Sequence, residues 1–311
     1  MNEVELAPIV LFVYNRPWHT RQTVKALQKN ELANESELFV YSDAPKEKHA
    51  IGKVTEVREY LKTIEGFKKI KIIERNQNWG LANSIIDGVT KTVNEHGKVI
   101  ILEDDLVTSP YFLRFMNEGL KFYHNNHEIM SISGYTLPPT FMRFPKNFTD
   151  DIYLSYRNSS WGWATWADRW NLVDWEVKDY YQFRSDPEQQ KLFNRGGDDL
   201  TNMLKSQMEG KINSWAIRFS YAHFKQGMYS VCPHYSYVNN IGHDGTGTHC
   251  GETNIFENDL SKAIKNCNLI QNIQLNKSVM LEFNKFYRKK SLLTQRINDL
   301  LRILVKCGIS K

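Results

Sequence analysis

Residues 8–14 (PIVLFVY) form an unbroken apolar, β-branched run, the pattern of a strand buried on both faces. Residues 17–30 follow with helical spacing and a proline at the first position, where its missing N–H costs nothing. The alternation then repeats: strand-like 37–43 (ELFVYSD), a helix over about 46–64, strand-like 69–75 (KIKIIER), a helix over about 79–95, and strand-like 98–106 (KVIILEDDL). Strands of continuous hydrophobicity separated by helices predict a parallel sheet covered on both faces, so the first 130 residues read as a doubly wound α/β region. Ligands of such sheets collect outside the carboxyl ends of the strands. Three of those ends are polar here: Asn15-Arg16, Ser42-Asp43 and Glu103-Asp104-Asp105.

The pattern changes after about residue 130. Residues 131–180 are rich in aromatics (SSWGWATWADRW) and read as loop with short strands. Gly196-Gly197-Asp198-Asp199 opens a helix predicted over 198–209, with the acidic pair suited to its N-terminus. Residues 229–250 are strand-like and then loop, and residues 288–311 place Leu293, Ile297, Leu300, Leu301 and Leu304 on one helical face against Arg288, Lys289, Lys290, Arg296, Arg302 and Lys306. A basic amphipathic helix of this kind fits an anionic membrane surface, the body of the protein or a second subunit, so peripheral membrane contact and a homodimer are both open.

Composition narrows the class without naming it. The net charge of +5 over 311 residues is too mild to argue nucleic-acid binding, so nucleic acid is not expected as a partner. Aromatics at 13% suit flat, hydroxylated ligands such as sugars and bases. The 4 cysteines have no metal-ligand or framework spacing, which predicts reduced thiols. The acidic N-terminus lacks the basic start of a secretory signal and no run reaches membrane-span length, so a cytoplasmic location is expected.

Three carboxylates in a row at the end of an apolar strand repel one another unless a cation joins them. Oxygen-only ligands suit Mg²⁺ or Mn²⁺ held by one or two carboxylates and the phosphates of a nucleotide, whereas the plain alternative is a solvated turn. In order along the chain, PIVLFVYNRP, FVYSD, VIILEDDLVTSPYFLRFM and SISGY resemble the nucleotide-sugar-binding half of the GT-A glycosyltransferases, in particular the eukaryotic N-acetylglucosaminyltransferase I family. SSWGWATWADRW and NIGHDGTGTHC are similar to segments of bacterial members of that superfamily that build surface polysaccharides.

The resemblance covers roughly residues 7–250 and implies a Rossmann-like mixed, mostly parallel sheet flanked by helices. The chain then divides into a catalytic region, 1–255, with its donor half ending near 130, and an extension over 256–311. It implies a nucleotide-sugar donor, UDP-linked, and a glycan or lipid-linked glycan acceptor. Asp43 would accept from the base N–H, Arg16 would sit at the nucleotide or pyrophosphate, and Glu103 and Asp104 would reach ribose, sugar or metal-bound water. Asp105 would ligate Mn²⁺ or Mg²⁺, with His249 as a further metal or phosphate contact, and His243 and Asp244 as weaker candidates in the same loop. Trp161 and Trp163, separated by Gly162, would stack on the acceptor sugar. The catalytic base of the resembled family lies just before a tryptophan and would map near Asn213-Ser214-Trp215, but neither Asn nor Ser is a base at neutral pH. Asp198 or Asp199 is therefore the expected proton acceptor, and the stereochemistry stays open. A nucleotidyltransferase would carry a glycine-rich phosphate loop after the first strand, and YNRPWHT has none. A sugar-binding protein without turnover would have no use for three clustered carboxylates.

Overall fold

The computed structural model describes residues 6–245 and 253–288. The first four strands are β1 (Ile9–Val13), β2 (Glu37–Ser42), β3 (Lys69–Glu74) and β4 (Lys98–Glu103), joined by α1 (Pro17–Gln28), α2 (Ile51–Leu61) and α3 (Gly80–His96). Next come β5 (Leu106–Thr108), α4 (Phe112–Phe122), β6 (Ile129–Ser133), β7 (Ile152–Ser155) and β8 (Trp163–Trp166). Helices α5 (Ala167–Trp170), α6 (Tyr180–Arg184), α7 (Pro187–Phe193), α8 (Leu200–Met208) and α9 (Trp215–Gln226) lead to β9 (Tyr229–Pro233), β10 (Val238–Asn240) and α10 (Lys277–Tyr287).

Eight strands form one sheet in the order β3-β2-β1-β4-β8-β6-β9-β7. Its first four are parallel, as their connecting helices require, while β8 enters antiparallel between β4 and β6. The result is the mixed Rossmann-like sheet with flanking helices that the sequence predicts. Alternation along β1 explains its unbroken hydrophobicity. Ile9, Leu11 and Val13 enter one apolar layer, with Val24 and Leu27 of α1, and Val57 and Leu61 of α2. Val10 and Phe12 enter the opposite layer with Ile85, Val89 and Val93 of α3.

Local signals set the helix limits. Pro17 opens α1, and α3 stops at Gly97, whose φ of 74° is the left-handed conformation that ends helices. Two differences from the sequence reading matter. The strand expected over 98–106 breaks after Glu103: β5 leaves the main sheet and pairs antiparallel with β10, setting Asn240 opposite Leu106. Helix α10, which the pattern reading did not anticipate, buries Val279, Met280 and Phe283 against the first layer. The basic helix expected over 288–311 lies outside the described residues except for Arg288. Among the described residues no helix is long and apolar enough to cross a membrane, and the described thiols, Cys232 and Cys267, are free.

Candidate active site

Parallel pairing aligns the carboxyl ends of β1, β2 and β4, since Phe12 registers with Glu103 and Val13 with Ser42. The residues that leave those strands therefore meet at one edge of the sheet. Arg16, at the start of α1, reaches Asp105 with Nη1 2.8 Å from Oδ2, and both side chains are about 15% exposed or less. The β5–β10 ribbon then carries the chain of residues 240–245 back over the same spot. Ile241 donates its N–H to the Asp105 carbonyl at 2.8 Å, and Arg16 Nη2 donates to the Gly242 carbonyl and Asp244 Oδ1, both at 3.3 Å. A side chain at position 242 would run into the Asp105 carboxylate and Arg16, so the close approach of this loop requires glycine.

His19 completes the cluster. Its Nε2 lies 2.8 Å from Arg16 Nη2 and 3.0 Å from Asp244 Oδ2, and it can serve only one of them at a time. Burial, with the Arg16 charge second, holds the His19 pKa below its ordinary value. The neutral ring accepting from Arg16 is thus the favoured state.

Behind Asp105 the charge balance is poor. Glu103 and Asp104 keep some exposed surface but lie deep at the strand end. Desolvation, then the Asp105 charge, then Asp104, push the Glu103 carboxyl well above the usual range. Desolvation and Asp105 push Asp104 up to about 7, although Arg16 and the Tyr14 N–H, 3.3 Å from Oδ2, work against this. Excess negative charge on hard oxygen atoms at the carboxyl edge of the sheet fits a divalent cation. Among the described residues no three His, Cys, Asp or Glu side chains form a ready metal cage. Mg²⁺ and Mn²⁺ need none when one or two carboxylates are joined by phosphate oxygens and water.

A stability consequence follows for the metal-free protein. A carboxyl with a folded pKa near 7 and an unfolded value near 3.8 holds a proton in the folded state that the unfolded chain has released. Its cost grows as pH rises from about 4 to 7 and is fully present above that. Buried His223, depressed to about 4 by desolvation, acts in the opposite sense, its contribution being lost as pH falls from 6.5 towards 4. The two partly cancel in the native protein, so the clean comparison is with Asp104→Asn. With chelator present, that variant is expected to melt several degrees higher than the native protein at pH 8 and to converge with it towards pH 4.5. Melting curves at the two pH values check this.

The remaining expected residues are distributed as follows. Asp43 sits at the end of β2 but is only 6% exposed, and its carboxylate already accepts the N–H groups of Ala44, Trp79 and Gly80 at 2.9 Å each. It pins the turn that starts α3. The expectation for Trp163 is corrected. That ring is 1% exposed and stacks on Trp215 at 4.8 Å within a core shared with Trp170 and Phe219, so it offers no face to a sugar. Trp161 lies outside β8, beyond the left-handed turn at Gly162; it is half-buried and stands edge-on to Tyr135 at 4.4 Å and to His243 at 5.5 Å. Gly162 between them has a φ of 63° and lies so near Phe112 that a Cβ would not fit.

Asp199 makes no capping bond to α8. Instead it pairs with Arg157, whose Nη1 is 2.9 and 3.1 Å from its two oxygens, while Asp198 is exposed. Ser214, in the place of the resembled family's base, caps α9 through the Ile217 N–H. His249 lies outside the described residues. Sequence reasoning passed over Arg157, His19 and Asn240, whose Nδ2 is 3.5 Å from Asp105 Oδ1. No local pattern marks Asn240, because the β5–β10 pairing joins segments some 130 residues apart.

Residues 9–198, more than half of the chain, match the pattern of glycosyl transferase family 2. The chain belongs to that family. Its matched segment holds the acid triplet, Arg16 and strands β1 to β8. No curated protein gives a significant sequence match. Among solved structures, residues 1–349 of TarS from S. aureus are similar at 11% identity and a TM-score of 0.42, over 74% of this chain and 59% of that one. The mannosyltransferase PcManGT from Pyrobaculum calidifontis, solved in complex with GDP-Man and Mn²⁺, is similar at 12% identity and a TM-score of 0.38, over 71% and 74% of the two chains. The galactosyltransferase LgtC, solved with donor and acceptor sugar analogues, is similar at 9% identity and a TM-score of 0.39, over 71% and 72%. The present chain thus spans about three-fifths of the TarS segment.

Proposed function

We propose that this family 2 glycosyltransferase moves a sugar from a nucleotide-diphosphate donor, UDP-linked, to a glycan or lipid-linked glycan acceptor, as in bacterial surface-polysaccharide synthesis. The observation that carries the reading is the convergence of Arg16, Asp105 and the 240–245 loop on the carboxyl edge of the sheet, with Glu103 and Asp104 uncompensated behind them. Arg16 is a planar fork suited to a diphosphate, and in the absence of ligand it is held in place by Asp105 and Asp244. Asp105, with Asp104 or Glu103 beside it, would hold Mn²⁺ or Mg²⁺, which supplies charge neutralisation of the departing diphosphate.

The chain's own groups do the rest. Arg16 orients the diphosphate, and the 240–245 loop, which contacts both Arg16 and Asp105, closes the donor side against water. Asp43 is given no direct donor contact, because its oxygens hold the Trp79 turn. For proton acceptance from the acceptor hydroxyl, Asp199 is preferred to Asp198, since Arg157 fixes its carboxylate in one place while Asp198 is exposed. Trp161 supplies an acceptor-side face. Residues 288–311 would give peripheral contact with the inner face of a cytoplasmic membrane, where lipid-linked acceptors are found.

Titration calorimetry of UDP into the full chain, with Mn²⁺ and again with chelator, tests the donor site. Binding that needs the metal is the expected result. Binding of equal strength without metal removes the acid triplet from the proposal. No binding of UDP, GDP, CMP or dTDP in either condition overturns the transferase reading for this site.

A further inference from the structure

A cavity of about 380 Å³ is lined by Trp161 and by Phe283, Phe286 and Tyr287 of α10. That volume falls in the range of small-molecule sites, roughly 300–1,000 Å³. Its walls are aromatic on the α10 side, with Phe286 and Tyr287, and are lined with hydroxyl and amide groups on the floor, including Ser155, Ser220 and Asn158. The cavity adjoins the acid site through His243. This ring packs on Phe256 at 4.9 Å within the cavity wall, one residue on from Gly242, whose carbonyl accepts from Arg16.

The floor holds an unmet demand. Asn158 is 94% buried, at 6% relative exposure, and its Oδ1 accepts from Ser220 Oγ at 2.5 Å. Its Nδ2 has no hydrogen-bond partner among the described residues. A buried amide N–H left without a partner costs about 1–3 kcal/mol, so such groups are rare unless something else occupies the site. What fits is a ligand with an oxygen at its buried end.

Charge decides the class of ligand. Arg157 is the cation in the cavity wall, and Asp199 already neutralises it at 2.9 Å while Tyr287 covers the guanidinium at 4.2 Å. An anionic sugar would bring a second, uncompensated charge into an apolar wall. A neutral pyranose would stack its C–H face on the aromatics and meet the amide and hydroxyls with its oxygens.

We propose that this cavity is the acceptor pocket, that it takes an uncharged sugar ring, and that Asn158 Nδ2 donates to an oxygen at the ring's buried end. The proposal deepens the transferase reading and rests on it for the word acceptor, but sugar binding in the cavity can be measured without any donor.

The experiment is saturation-transfer NMR on the full chain with the methyl β-glycosides of glucose, galactose, N-acetylglucosamine and glucuronic acid, without nucleotide or metal. At least one neutral glycoside is expected to receive saturation and the glucuronide none. Asn158→Asp keeps the Ser220 contact but removes the donating amide, and is expected to weaken that binding about tenfold, the worth of one good hydrogen bond. Met203→Trp, on α8 in the cavity wall, fills the space and is expected to abolish it, with melting curves showing that both variants fold. Absence of any neutral glycoside signal, glucuronide binding equal to the neutral sugars, or binding that survives Met203→Trp would each overturn the proposal. The two readings fail separately: UDP binding without glycoside binding removes the pocket, and glycoside binding without nucleotide binding removes the transferase.

Discussion

Replacing Asp105 by alanine is expected to abolish metal-dependent nucleotide binding and to lower sugar transfer by about a hundred- to a thousandfold, the usual cost of removing one preorganised electrostatic contact. Asp105 is the point at which the site's three segments meet. Its Oδ2 holds Arg16 at 2.8 Å, its Oδ1 faces Asn240, and its backbone carbonyl anchors Ile241. The alanine variant keeps the backbone anchor, so the 240–245 loop retains part of its seat, but Arg16 loses its shortest carboxylate contact. Asp105→Asn separates charge from shape, since it can keep the side chain's position while losing the negative charge that the proposal gives to the metal. Both variants are expected to lose nucleotide binding in calorimetry with Mn²⁺, and both should retain cooperative unfolding. Nucleotide binding of native strength in Asp105→Asn would show that the acid triplet has no part in holding the donor.

The largest stability effect is expected at Trp163. Trp163→Ala should cost about 3–5 kcal/mol in urea unfolding, the range for removing a large aromatic from a close-packed core. The ring is 1% exposed, lies against Trp215 and Phe219, and joins β8 to α9 across the second apolar layer. Because the surrounding rings are large and interlocked, they cannot collapse into the space that it leaves. Trp161→Ala, two residues away, should cost markedly less, since that ring is half-exposed at the cavity mouth. Equal costs at the two positions would contradict the division between a core and a site tryptophan.

Those two residues show where sequence reasoning reached its limit. Three tryptophans within six positions were visible as an aromatic cluster, and Gly162 as a point of close approach. Which ring faces a ligand depends on how β8 is inserted between β4 and β6, and an antiparallel strand in the middle of the sheet leaves no local trace. Asp43 makes a similar point. Its place at the end of β2 was legible, whereas its engagement by Trp79 and Gly80 needed the start of α3 to be folded against it.

The sequence by itself determined the parallel half of the sheet and the side on which chemistry would gather. Continuous apolar runs bury both faces of a strand, helical spacing returns the chain in the same direction, and polar residues at the strand ends then share one edge. Those are short-range consequences of side-chain periodicity. The tertiary structure alone decided the company that Asp105 keeps. The pairing of β5 with β10 lays residues 240–245 across a carboxylate some 130 positions earlier, and α10 roofs a cavity whose floor comes from residues 155–158 and α9. Such contacts arise from the register and packing of segments far apart in the chain, where the free energy is settled by the whole fold and no local pattern records the outcome.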